Sequence, residues 1–140
     1  MKIELKRVNE AVHFEGSAPS SNIKVQIDGS PQMGGLGLGV RPMELVLMAL
    51  ASCTSLDLGS ILQKQRQTIE DLSVIAEGIR TDKIPQVFTA IHLTIKLRGD
   101  IDKAKAERAA ELAVKKYCSV HDMLAAGGVD ISYSVSINEG

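Results

Sequence analysis

The spacing of apolar and polar residues changes period several times along the chain, and each change marks an element. In Met1–Val8, Ile3, Leu5 and Val8 alternate with Lys2, Glu4 and Lys6, the period of two expected of a half-buried strand. Asn9-Glu10 is a turn signal leading into Ala11–Glu15, Gly16–Ser21 reads as loop, and Asn22–Asp28 alternates Ile23, Val25 and Ile27 with Lys24 and Gln26. These strands predict a small antiparallel meander, too thin to stand alone. From Pro42 the period becomes helical and runs to Arg66. Pro42 suits a first helical turn, which has no intrahelical N–H to lose. Between Met43 and Ala51 only Glu44 is polar, so this helix should be covered on most faces, by a core or by a partner. Beyond Cys53 it turns amphipathic, with Leu58, Ile61 and Leu62 on one stripe and Gln63, Lys64, Gln65 and Arg66 in water.

Two long alternating segments follow, Ile69–Arg80 and Val87–Arg98, joined by Thr81–Pro85 as a hairpin. In the second, Val87, Thr89, Ile91, Leu93, Ile95 and Leu97 form the apolar face, and His92 lies on the mixed face as an exposed strand histidine. Asp102–Tyr117 has helical spacing. Asp100 or Asp102 is its cap, and Ala106, Ala109, Ala110, Leu112, Ala113 and Val114 form its buried face. Ser119 is placed to cap a short helix, Val120–Ala126, that stops at Gly127-Gly128, and Val129–Asn138 alternates as a last strand. The order predicts an α+β domain with a largely antiparallel sheet packed on a long central helix. At 140 residues it is read as one domain: strands in 1–28, a loop in 29–41, the central helix in 42–66, the hairpin in 69–98, helices in 102–126 and a strand in 129–138.

Composition narrows the function more by exclusion than by pointing. A net charge of -1, no Trp, two Tyr and two Phe give nucleic acid little to bind. The first residues lack the apolar stretch of a signal peptide, and the longest apolar run, Leu45–Ala51, is too short for a bilayer. No membrane partner and a cytoplasmic location are therefore expected. In a reducing compartment two cysteines are more often catalytic, redox-sensing or metal-binding than a structural disulfide. Two cysteines and histidines at 13, 92 and 121 do not make an evident metal site, and Cys118-x-x-His121 is half of one at most.

Each thiol has a functional reading and a plain one. Cys53 lies mid-helix with Asp57 one turn on, a neighbour that opposes ionisation. Cys118, at a junction of two helices with His121 close by, has the better setting for a thiolate. Both are equally well read as inert buried cysteines. The loop Gly29–Val40, with five glycines in twelve residues before a helix, could cradle an anion, but Gly35-Leu-Gly37-Leu-Gly39 matches neither the dinucleotide fingerprint nor a P-loop.

Pro42-Met-Glu-Leu-Val-Leu-Met-Ala-Leu-Ala-Ser-Cys53, followed downstream by Tyr117-Cys118-Ser-Val-His121, resembles the family of osmotically induced protein OsmC and organic hydroperoxide resistance protein (Ohr), in its general OsmC-like branch. The glycine-rich loop, the hairpin and the last strand extend the resemblance over essentially the whole chain. It implies an intertwined homodimer whose central helices pack together and whose site draws on both subunits. It also implies that Cys53 attacks a peroxide, that Cys118 resolves the sulfenic acid as a disulfide, and that an external dithiol restores both, with no cofactor. The expected substrate is an organic hydroperoxide, because the Leu45–Leu50 surroundings favour an alkyl chain. This chain departs from the hydroperoxidase branch at one point. Met43, not glutamate, follows Pro42, and Glu44 comes one place later, nine residues and half a helical turn away from the Cys53 face. The activating arginine of that branch has no counterpart in the first strands, and Arg41 is the nearest substitute. The other class of function is a non-catalytic dimer that holds a small hydrophobic ligand in the same apolar cleft.

Overall fold

The computed structural model describes residues 1–139 and contains six strands and three helices. They belong to two compact units, Met1–Val46 and Leu47–Gly140.

The first unit is the expected meander, with a shorter first strand and a middle strand of the expected five residues shifted three positions along the chain. Strands β1 (Glu4–Arg7), β2 (Phe14–Ala18) and β3 (Ser21–Ile27) pair antiparallel in that order. β2 extends into the segment expected as loop, because the reversal needs only the two residues between Ala18 and Ser21. The β1–β2 connection is held by Asn9, whose Oδ1 accepts from the N–H groups of Ala11 and His13 at 3.0 and 3.1 Å. The loop after β3 contains one 3-10 turn, Pro31–Met33, and returns to the sheet where Val40 bridges Ile27 in parallel.

Helix α1 (Pro42–Lys64) starts at the expected proline. Leu50, Thr54, Leu58 and Leu62 are fully buried at a strict four-residue spacing, the interval that keeps side chains on one helix face. Coverage on most faces is not met within one chain: Met48 is 50% and Leu56 75% exposed. The Leu45–Ala51 run is short, but by length and composition α1 passes the test for a membrane span, its most apolar 18-residue window having a mean hydropathy of 1.8, a test that the core helix of a soluble protein also passes.

Strands β4 (Thr68–Arg80) and β5 (Phe88–Asp100) form the long antiparallel hairpin, and β6 (Asp130–Ile137) joins β5 in parallel. This second sheet is therefore mixed, with order β4-β5-β6, because a helical crossover returns the chain in the same direction. Ile91, Leu93, Ile95 and Leu97 are buried as expected. Val87 is not: it is 52% exposed, whereas Phe88 is 6% exposed. The cause is a register shift between Ile79 and Arg80, where Ala90 pairs with Ile79 and Phe88 with Arg80. Thr89 is the extra residue, and one extra residue reverses the facing of everything before it. The Phe88 ring takes the space over Gly78, where a Cβ would collide with it.

Asp102 caps helix α2 (Lys103–Glu111), its Oδ1 accepting from Lys105 N–H at 2.9 Å. Ala106, Ala109 and Ala110 are fully buried on it, small enough to let the helix approach closely. The helix then widens into a π-turn, Leu112–Tyr117, which the apolar spacing alone did not predict. Helix α3 (Ser119–Ala126) follows directly after Cys118.

Candidate active site

α1 and the α2–α3 junction bring Cys53 and Cys118 together within the second unit. Both are free thiols, Cys53 half-buried and Cys118 1% exposed. They lie close enough for the Cys53 thiol to push the Cys118 pKa up. The π-turn positions the second of them. Its wider winding ends at Cys118, whose backbone is extended (φ -75°, ψ 106°), and α3 starts at the next residue.

The cap of α3 is Cys118 itself, not Ser119. Its Sγ accepts the His121 backbone N–H at 3.3 Å, as a serine or aspartate oxygen does at this position. Sulfur is a weak acceptor as a thiol, so spacing rules for capping residues pass over cysteine and settle on the adjacent serine. The arrangement puts the sulfur at the positive end of the α3 dipole.

Four influences act on the Cys118 thiol. Burial pushes its pKa up most, and the Cys53 thiol adds to the rise; the His121 N–H and the Thr54 hydroxyl act in the opposite direction. The balance is upward, so Cys118 rests as a thiol. Thr54 is fully buried, and its Oγ1 has no well-aligned hydrogen-bond partner. It sits beside the sulfur as an uncommitted donor. This residue was missed in the sequence because threonine next to cysteine on an apolar helix carries no spacing signal. His121 is mostly buried, and its Nδ1 lies 3.1 Å from Asp122 Oδ1.

Glu44 and Arg41 meet each other at the start of α1. Glu44 Oε1 accepts the Arg41 backbone N–H at 2.8 Å, the reach-back half of a capping box. The carboxylate therefore serves as a helix cap, and the Arg41 side chain is exposed.

The glycine-rich loop carries its own anion. Asp28 is 2% exposed, and its carboxylate accepts from Gly29, Leu36 and Leu38 N–H at 2.8, 3.0 and 3.0 Å. These backbone bonds, Leu38 and Leu36 foremost, hold its pKa below the ordinary value. Donors that a phosphate would use at Leu36 and Leu38 are occupied, which counts against an anion site there. Outside both groups, His92 lies between Ser132 Oγ and Ser134 Oγ, at 2.8 and 3.3 Å, on the polar side of the second sheet.

A half-buried thiol beside a buried one, carried by a long helix and a helix junction in an α+β fold, defines a class of two-cysteine proteins. The profile of the family described as OsmC-like protein matches residues 34–134, and the chain belongs to that family. It is similar to Protein YhfA of Escherichia coli K12, with 41% identity over 97 residues that cover 69% of this chain and 72% of that one. A solved structure of a hypothetical protein from Aquifex aeolicus VF5 superposes with a TM-score of 0.80 at 29% identity, covering 99% of this chain and 97% of the other. The organic hydroperoxide resistance protein OsmC of Legionella pneumophila shares the fold at a TM-score of 0.71 and 21% identity, with 97% of each chain covered.

Proposed function

We propose that this protein is a thiol-dependent peroxidase that reduces organic hydroperoxides and protects against oxidative stress. One observation carries the reading: two free cysteines from separate elements lie side by side, one reachable from solvent and one buried. The Cys53 thiolate attacks the outer peroxide oxygen, the O–O bond breaks, and the alcohol leaves after taking a proton. Cys53 is then a sulfenic acid. The Cys118 sulfur attacks it, forms the disulfide and releases water, which forestalls further oxidation. An external dithiol returns both thiols and leaves as a disulfide. No metal, flavin or haem enters this sequence. The apolar residues Leu45–Leu50 before Cys53 favour an alkyl hydroperoxide over a small polar oxidant. In this proposal Glu44 and Arg41 are supporting residues at the start of the helix that carries Cys53.

The working form is a homodimer in the cytoplasm. Met48 and Leu56 on α1, and Leu5, Ile23 and Val25 on the first sheet, are large apolar side chains left exposed in the single chain. A second copy of the chain covers them, which is also the role assigned to the membrane-length apolar surface of α1.

Intact-mass analysis after a short pulse of cumene hydroperoxide tests the chemistry, with hydrogen peroxide in parallel. Wild type should lose two hydrogens, Cys118→Ser should trap an added oxygen, and Cys53→Ser should do neither. Thiols that stay reduced in wild type would sink the peroxidase. The same exposed apolar surface would then support the other class, a dimer holding a small hydrophobic ligand, visible as a co-purifying mass under native conditions.

A further inference from the structure

We infer that Thr54 and the first turn of α3 form a thiolate hole around Cys118, which makes Cys118 the leaving sulfur when an external dithiol opens the Cys53–Cys118 disulfide. The inference rests on the thiol-pair chemistry proposed above and assigns what that chemistry leaves open: which sulfur is attacked, and what stabilises the other. Access decides the first point. Cys118 is 1% exposed, so an incoming thiolate has no approach to it, whereas Cys53 is half-buried. Two donors decide the second. The His121 N–H already points at Cys118 Sγ from the start of the eight-residue helix α3. Thr54 Oγ1 lies beside the same sulfur, fully buried and without a well-aligned partner. A buried hydroxyl left unsatisfied is costly in the resting protein and becomes useful when its neighbour turns anionic, since hydrogen bonds to charged groups are the strong ones.

A thiolate of the dithiol attacks Cys53 Sγ, the Cys53–Cys118 bond breaks, and its electron pair goes to Cys118 Sγ. The second thiol of the reductant then attacks the reductant sulfur in the mixed disulfide and releases Cys53 as a thiolate. The reductant leaves as a cyclic disulfide, and its two protons end on Cys53 and Cys118. A better stabilised leaving thiolate departs faster. In the reduced protein burial and the Cys53 thiol together hold Cys118 as a thiol.

The test forms the disulfide with diamide in wild type, Thr54→Val and Thr54→Ser. Opening by dithiothreitol is timed across pH, and the first adduct of excess 2-mercaptoethanol is located by peptide mapping. The adduct should fall on Cys53. Thr54→Val should open about tenfold more slowly, a factor expected for one hydrogen bond to a charged group, and Thr54→Ser should be restored towards wild type. The reduced Thr54→Val protein should melt no lower than wild type, since its hydroxyl satisfies nothing in that state; a purely structural threonine would lower the melting point and leave opening unchanged. An adduct on Cys118, which wild type alone reveals, or equal opening rates in wild type and Thr54→Val, overturns the inference. A disulfide that forms with diamide but not with hydroperoxide would remove the peroxidase and leave the hole to be judged by its opening rates. If no oxidant forms the disulfide, the thiol pair and this inference fall together.

Discussion

The two compact units are stabilised by different means. Met1–Val46 buries one residue below a tenth exposure, and that residue is a carboxylate, Asp28. Its apolar side chains are largely exposed, with Ile23 at 79% and Leu5 at 55%. Leu47–Gly140 has an aliphatic core drawn from α1, β5 and α2, and also holds both cysteines. Hydrophobic burial dominates the second unit. Backbone hydrogen bonds to a buried charge organise the first, a directional but weaker means of holding a loop. A sheet with so little of its apolar face covered is stable when something else supplies the cover.

Four measurements would break or sharpen this contrast. Leu58→Ala, at a fully buried position of α1, should cost about 3 kcal/mol in urea unfolding, the usual range for a leucine cavity. The same truncation at Ile23 should cost less than about 0.5 kcal/mol if the first sheet faces water; a cost near that of Leu58→Ala would show that the sheet is covered. The proposed homodimer gives a second expectation: Leu5→Ser with Ile23→Ser should raise the dissociation constant about tenfold or more in sedimentation at dilution. An unchanged constant would leave that face without a copy of the chain on it.

The third measurement concerns pH. Asp28 has its pKa lowered in the fold, so its contribution is present at neutral pH and is lost as the pH falls through that lowered value. Amide exchange at Leu36 and Leu38 should accelerate there, relative to amides of β5. Asp28→Asn should reproduce the acceleration at neutral pH. The smallest effect is expected on the surface of the second unit. Arg108 and Glu111 form an ion pair at 3.2 Å with both side chains more than half exposed. Arg108→Ala should change stability by about 0.3 kcal/mol and less in high salt.

Legibility in the sequence followed the same division. The α1 start, the Ile91–Leu97 face and the alanine face of α2 were readable because burial imposes a period on sequence. What could not be read was set by pairing between distant residues. The reversal at Thr89 belongs to the register of β5 against β4, and the alternation of β5 alone gave no sign of it. The parallel direction of β6 belongs to the crossover. Asp28 looked like the end of a strand, because its three partners are backbone N–H groups whose positions depend on how the loop closes. At the site, both cysteines were visible as residue types, but their adjacency was supplied by family resemblance and not by spacing. Thr54 and the capping role of Cys118 needed coordinates.

The π-turn Leu112–Tyr117 has a further consequence for how this site responds to changes in chain length. A π-turn holds one more residue than an α-turn, so it behaves as an insertion absorbed within a helix rather than in a loop. Deleting a single residue there, Lys115 for instance, would let ordinary helical winding resume. Because the wider turn absorbs the extra residue, everything downstream would keep its angle about the helix axis, whereas deleting a residue from the regular part of α2 would turn it by about 100°. Substitutions in this turn leave that angle alone. The π-turn is therefore the part of this crossover that can lose one residue with the two thiols kept within reach of each other.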